Sequence, residues 1–254
     1  MRVLIVGEVP FVDTLAGVCR AKNHKVDLFL SDDLDDQATL DAMVRAATRC
    51  QIAIESLNES QSGKQWLVEG VEANMPADSP LLTSALAASA TEVAGWTEHP
   101  ERVVGFGLLP PFSATGPVEF APALQSDFET VTIARRFWED LGFDVVRVPD
   151  APGLVRTRIV CGIINEAVRT LAASGASVEE LDMAMQLGMN FPRGPLTWAD
   201  EIGLDVVVGA LEALQRYLGE SRYHPAPLLR QKVYAGHLGK KTGRGFYIYK
   251  PPAS

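Results

Sequence analysis

Pro149-Asp-Ala-Pro-Gly153 divides this chain into two halves of unlike pattern. Upstream, short apolar runs alternate with amphipathic stretches. Val3–Val6, Val26–Leu30, Ile52–Ile54, Leu81–Leu82, Val103–Phe106 and Val145–Val148 read as buried strands. Pro10–Lys22, Leu40–Cys50, Lys64–Ala73 and Phe128–Leu141 read as helices between them. Pro10 suits a first helical turn, where its missing N–H costs nothing. This alternation predicts a parallel sheet with helices on both faces. Leu108–Asp127 holds four prolines and little periodicity, so it is expected to be a long loop, a rim over a ligand cleft. Downstream, the strand signal vanishes until about His237. Val160, Ile164, Val168 and Leu171 share one helical face, as do Val207, Leu211, Leu214 and Leu218. Ser177-Val-Glu-Glu180 reads as a capping box, and Pro192, Pro195, Pro225 and Pro227 punctuate the helices. A domain boundary is expected at 149–153.

Composition narrows the function classes. With 254 residues the chain can build one large domain or two modest ones without staples. A net charge of −9 argues against a nucleic-acid partner, which needs clustered Lys and Arg. It leaves room for an anionic cofactor, because a few local cations or a helix N-terminus suffice. Cys19, Cys50 and Cys161 are odd in number and far apart, so neither a disulfide framework nor a metal site is expected. Cys19 and Cys161 read as small core residues. No secretory leader and no run of ~18 apolar residues is visible, so a cytoplasmic protein without a membrane span is expected.

Several blocks in the second half carry a family resemblance. They are Pro152-Gly153, Ile164-Asn-Glu-Ala167, Gly194-Pro-Leu-Thr-Trp-Ala-Asp200, Ile202-Gly-Leu-Asp205 and Gly239-Lys-Lys-Thr-Gly-Arg-Gly-Phe-Tyr247. In this order and spacing they resemble the C-terminal domain of 3-hydroxyacyl-CoA dehydrogenases. The resemblance implies α/β architecture: a Rossmann-like doubly wound parallel sheet, here reduced, over 1–149, then an all-α dimerisation domain over 150–254. It implies a homodimer, an acyl-CoA or other small-molecule ligand, and a place in fatty acid metabolism. Read physically, the blocks are mainly architectural. Asp200 and Asp205 are expected to cap or solvate helix ends, and Gly243 and Gly245 to allow turns closed to other residues. Lys240, Lys241 and Arg244 read as a solvated loop, with a phosphate contact as the other reading.

In the first half the motifs erode. The family's first strand runs into a GxGxxG loop whose glycines admit a pyrophosphate. Gly7-Glu-Val-Pro-Phe-Val12 keeps only the first glycine. Val9 and Val12 are expected to obstruct phosphate approach and helix packing, and Glu8 to place a negative charge beside an anionic ligand. Leu30 stands where the family's ribose-binding acid would be, with Asp32 and Asp33 nearby. These changes argue against NAD, the family's cofactor, in its usual mode. Ile54-Glu-Ser-Leu-Asn-Glu59 followed by Lys64 resembles the family run V-I-E-A-x-x-E-x-x-x-x-K. Gly7, Glu59 and Lys64 are therefore the cofactor-site candidates, and a plain charged pair is the alternative for the last two.

The catalytic set is eroded further. In Arg102-Val-Val-Gly-Phe-Gly-Leu-Leu-Pro-Pro111 the family's catalytic His aligns with Gly107 and an Asn with Pro110. A second Asn aligns with Thr157. The family's N-T-S-S run falls on Ser84-Ala-Leu-Ala87, and a one-residue slip brings in Thr83-Ser84. Glu119, aligned with the acid that orients the base, survives. His24, His99, His224 and His237 all read as surface histidines. Three functions remain open. The first is a dehydrogenase relative with weakened or lost hydride transfer that binds a ligand or serves as a partner subunit. The second is an active NAD-dependent dehydrogenase with displaced groups. The third is a different enzyme using Ser113-Ala-Thr115 or Glu119.

Overall fold

The computed structural model describes residues 1–58, 60–112 and 116–249. The chain forms two compact units, Met1–Val155 and Arg156–Ser254. Among the described residues, the first unit holds seven strands: β1 (Arg2–Gly7), β2 (Lys25–Leu30), β3 (Ile52–Ser56), β4 (Leu81–Ser84), β5 (Val103–Gly107), β6 (Pro117–Pro122) and β7 (Asp144–Arg147). Their helices are α1 (Phe11–Ala21), α2 (Gln37–Ala47), α3 (Gln61–Glu72), α4 (Ala90–Ala94) and α5 (Phe128–Leu141). The sheet order is β2-β1-β3-β4-β5-β6-β7, so the chain reverses direction across the sheet on either side of β1. In Rossmann-like sheets the ligand crevice opens at such a switch point, beyond the carboxyl ends of the strands.

Strand alternation sets up two cores. Leu4 and Val6 of β1 face a layer with Met43, Leu67, Val68 and Val71, from α2 and α3. Val3 and Ile5 face the other layer, with Leu15 of α1 and Phe137, Trp138 and Leu141 of α5. Trp138 is fully buried, with its ring 5.0 Å from Phe106 and 5.4 Å from Phe143. Val12 is fully buried in that same layer. It therefore does not obstruct the packing of α1, as the sequence suggested; the sheet face accommodates it.

One local expectation needs correction. The segment Leu108–Asp127 is not all loop, because Pro117–Pro122 forms β6, antiparallel to β5 and parallel to β7. Its prolines sit at the strand ends, where a lost N–H costs least. The short α4 is capped by Ser89, and Asp150 accepts the N–H groups of Ala90 and Thr91 at 2.8 Å each. That contact ties Pro149-Asp-Ala-Pro-Gly153 to the sheet unit, as does the Gly153 N–H bonded to the Ala85 carbonyl at 2.8 Å.

The second unit is helical among its described residues: α6 (Arg156–Ser174), α7 (Val178–Met189), α8 (Pro195–Ile202), α9 (Leu204–Leu218) and α10 (Pro227–Tyr234). Every residue from Leu204 to Leu211 is buried, which makes α9 the central helix. Ser177 and Glu180 form the expected capping box. Asn165 of α6 donates to the Arg222 and His224 carbonyls and accepts from the Ala226 N–H, fixing the turn before α10.

The C-terminal strap 239–249 is held by two buried carboxylates. Asp200, 1 % exposed, accepts the N–H groups of Phe246 and Tyr247 and the Tyr249 hydroxyl. It is thus a latch rather than a helix-end cap. Gly245 leaves it room, since a Cβ there would lie 2.0 Å from Asp200 Oδ1. Asp182 accepts the N–H groups of Leu196 and Thr197 at the start of α8, together with the Tyr247 hydroxyl.

Candidate functional site

At the switch point β1 and β3 run side by side, with Gly7 beside Ser56. Gly7 has φ +147°, and a Cβ there would lie 2.6 Å from Ser56 Oγ. Its glycine is therefore required by the strand contact itself. In the turn that follows, Glu8 N–H bonds to the Ser56 carbonyl at 3.4 Å, while the N–H groups of Phe11 and Val12 bond to the Glu8 carbonyl at 3.1 and 3.2 Å. Pro10 has no N–H. A pyrophosphate cradle requires backbone N–H groups turned outward at a helix start. Here most of that row is turned inward.

The Glu8 side chain is itself turned inward, 6 % exposed. Its Oε1 accepts the Asn58 backbone N–H at 2.7 Å and the Asn58 amide at 3.1 Å. Asn58 in turn accepts the Ser84 hydroxyl at 2.7 Å. A polar chain therefore runs Glu8–Asn58–Ser84 across the ends of β1, β3 and β4. Next to it lies a second network. Lys64, fully buried, donates to Glu55 Oε2 at 2.5 Å and to the Leu57 carbonyl at 3.1 Å. Thr83 donates to the same Glu55 oxygen at 2.7 Å, and Leu57 N–H donates to Oε1 at 2.6 Å. Lys64 is thus spent on Glu55, and the hydroxyls of Thr83 and Ser84 are spent on internal acceptors. Glu59 lies outside the described residues, as do Ser113 and Thr115.

The position aligned with the family's catalytic histidine is closely packed. Gly107 ends β5 opposite Glu119 of β6. A Cβ at 107 would lie 2.8 Å from Leu154 Cδ1, 3.1 Å from Glu119 Oε2 and 3.3 Å from Glu119 Cβ. Leu154 is 4 % exposed and packs on Ala85, Ala121 and Val148. Glu119 is buried and accepts the Val155 N–H at 3.1 Å. The surviving acid therefore holds the strap 149–155 in place, and the strap's leucine occupies the space in front of Gly107. Pro110 is buried just beyond β5. Thr157, in the first turn of α6, is buried, and its hydroxyl has no hydrogen-bond partner among the described residues.

His24 contacts the Met1 amino group at 3.2 Å, and burial together with that amino charge lowers its pKa. His99 is exposed and pairs with Glu101 at 3.2 Å. Burial pushes the thiols of Cys19 and Cys161 up to about 12 and that of Cys50 up to about 11, so all three are inert core groups. Among the described residues no cluster of His, Cys, Asp and Glu could hold a metal ion. None of their helices is long and apolar enough to cross a membrane. Lys240 pairs with Glu201 at 2.6 Å and Lys241 with Asp205 at 2.5 Å. A groove of about 460 Å³ on the second unit runs along α6 between Arg158, Glu166 and Arg222.

Sequence reasoning singled out Glu8, Lys64 and Gly107 but missed three residues that they meet. Asn58 and Leu154 carried no signal. Glu55 did carry one, as an acid within an apolar strand run with a lysine nine residues on.

Comparison with known proteins follows the same division. Residues 153–249 match the model of the 3-hydroxyacyl-CoA dehydrogenase C-terminal domain. Residues 20–151 match the NAD binding domain of the same family, a match that begins after the β1–α1 turn. A probable 3-hydroxybutyryl-CoA dehydrogenase of Bacillus subtilis is 36% identical over 219 residues, covering 86% of this chain and 76% of that protein. The crystal structure of M. tuberculosis FadB2 superposes with a TM-score of 0.81 at 26% identity, covering 98% of this chain and 99% of that one. That of (S)-3-hydroxybutyryl-CoA dehydrogenase PaaH1 from Ralstonia eutropha gives 0.76 at 28% identity, with 98% and 99% covered.

Proposed function

The chain belongs to the 3-hydroxyacyl-CoA dehydrogenase family, and from that premise we propose that it is a member whose hydride transfer is weakened or lost. Its role on this reading is to bind a ligand, such as an acyl-CoA, or to serve as a partner subunit. One observation carries the proposal: Leu154 Cδ1 stands 2.8 Å from where the first side-chain atom of residue 107 would be. A side chain there must displace the tip of Leu154, and His24 and His99, the histidines of the same unit, contact the Met1 amino group and Glu101 instead. A positioned general base contributes roughly 10²–10⁴ in rate, so its removal alone leaves a slow enzyme. The inward-turned loop after β1 weakens the second requirement, because the residues present do not fit a dinucleotide held by its pyrophosphate at that turn. Gly7 and Lys64 support the sheet edge in this reading rather than touch a cofactor.

Several exposed apolar side chains on the second unit, among them Ile159, Leu187 and Tyr234, support a homodimer through that unit. A cytoplasmic location is part of the same proposal. The activities named for the relatives favour a second reading, an active dehydrogenase with displaced groups. Following NADH absorbance with acetoacetyl-CoA decides between them. The proposal expects turnover at least about 10²-fold below that of a histidine-bearing relative, and turnover equal to that relative's overturns it.

A further inference from the structure

The groove of about 460 Å³ on the second unit has no part in the function proposed above, yet its volume is that of a small-molecule site. Ile159, Gly162 and Ile163 of α6 give it an apolar side. Arg158, Arg222 and Tyr223 line it as well, and Glu166 lies further along α6. Tyr223 is 4 % exposed, and its ring orders both arginines. Arg158 donates from Nε to the Tyr223 hydroxyl at 2.8 Å, with its guanidinium carbon 5.8 Å from the ring centre. Arg222 lies over the same ring at 4.9 Å and pairs through Nε with Glu220 at 2.6 Å. Each guanidinium is thus held by its Nε. The terminal nitrogens of both have no acceptor among the described residues, and Glu166 has no ion-pair partner there.

We propose that this groove binds a small amphipathic carboxylate. Its two oxygens meet the terminal nitrogens of Arg158 and Arg222, and its apolar body runs along Ile159, Gly162 and Ile163 toward Glu166. Stacking on a tyrosine ring fixes a guanidinium in advance, so less side-chain entropy is lost when the planar fork takes a carboxylate. Arg158 and Glu166 stand eight residues apart on one helix, a span of about 12 Å. A second negative charge at that distance from the first meets the Glu166 carboxylate, so a single acidic head is favoured over two. The inference goes beyond the proposed function, because every residue it uses lies in the second unit and none takes part in hydride transfer. Leu187 and Tyr234, exposed on α7 and α10, do not line the groove and remain available to a second copy of the chain.

The test titrates the full chain with octanoate, whose extended chain has a reach comparable to that span. Suberate, with an acid at both ends, and octylammonium, with the opposite charge, are the controls. Calorimetry and thermal shift read the binding. Expected is saturable binding of octanoate, at least about tenfold tighter than that of either control. Arg222→Gln should lower octanoate affinity at least about tenfold, and Glu166→Gln should narrow the gap to suberate. Gly162→Leu tests the space itself. A Cβ at Gly162 meets nothing within 4 Å, so the larger side chain projects into the groove without disturbing the fold, and a helix interior favours leucine over glycine. This variant should melt no lower than the unaltered chain and lose octanoate binding. Absence of octanoate binding, or binding that Arg222→Gln and Gly162→Leu leave unchanged, overturns the proposal. So does loss of binding in Gly162→Leu accompanied by a change of oligomeric state in size-exclusion chromatography, because the groove is then a contact between copies of the chain.

Discussion

The two units treat their family residues in opposite ways. In the second unit the blocks are retained, and each is consumed by packing: Asn165 fixes a turn, Asp200 holds the strap, and Lys240 and Lys241 pair with acids. In the first unit several residues depart from the family pattern, and side chains at this edge turn inward: Glu8 to Asn58, Leu154 toward Gly107, and the retained Glu119 to the segment 149–155. An architectural motif survives because its neighbours depend on it.

The contrast is sharpest at the buried polar groups of the first unit, where the largest effect is expected. Lys64 and Glu55 are both fully buried and paired. Lys64→Met leaves Glu55 charged inside the sheet with only the Thr83 hydroxyl and the Leu57 N–H, at a cost of about 3–5 kcal/mol. Urea denaturation of the single variant and of Lys64→Met with Glu55→Gln measures this, and the double variant should recover a large part. A loss below about 1 kcal/mol would mean that the pair is solvent-relaxed, as a working site would be, and the contrast would weaken.

In the second unit the comparable position is Asp200. Asp200→Asn turns an amide donor toward one of two backbone N–H groups and should cost about 2 kcal/mol. Burial raises the Asp200 carboxyl pKa above its usual value, with the strap N–H groups opposing. A raised folded-state pKa means that the folded chain binds the proton more tightly than the unfolded one. The contribution of Asp200 is therefore largest below the ordinary Asp range and is lost as pH rises through the folded value. The stability gap between the unaltered chain and Asp200→Asn should narrow from pH 4 toward pH 7. A gap that widens over this interval would reverse the assignment of desolvation as the leading cause.

Gly107 tests the filled site directly. Gly107→Ala must displace Leu154 Cδ1 or the Glu119 carboxylate, and overpacking of this kind costs about 1–2 kcal/mol. Gly107→Ala combined with Leu154→Ala should cost less than the sum of the two single changes, because each relieves the other. Gly107→His should bring no NADH oxidation with acetoacetyl-CoA. Additive losses in the pair would show that Leu154 does not guard the position.

Much of this was legible in the sequence where a pattern is local. Period and apolar runs marked β1 to β5 and α5, and the retained blocks marked the helical unit. The strand β6 was not legible, because Val118 and Phe120 offer only a short alternation around Glu119, between terminal prolines. The departures from the family pattern at 107, 110 and 157 were legible as identities. What surrounds them was not, because Glu8 reaches Asn58 and Leu154 reaches Gly107 through contacts that only the folded chain creates. The same reason explains why Asp200 read as a helix-end acid: its donors lie 46 and 47 residues downstream.

The smallest expected effect bears on the basic block of the strap. Lys240 is half exposed, and its ion pair with Glu201 spans 2.6 Å at the surface. Lys240→Ala should cost about 0–1 kcal/mol, since water screens such pairs and holding the long side chain in place has its own entropy cost. The difference should shrink further in high salt, where exposed charges are screened within a few ångströms. Thermal melting at low and high ionic strength measures both. Because Glu201 also meets Arg193, it remains paired in the variant, which keeps the expected loss at the low end. If instead Lys240→Ala leaves stability untouched but abolishes pyrophosphate-induced stabilisation of the chain, the block has kept a ligand contact, and the retained blocks are not purely architectural.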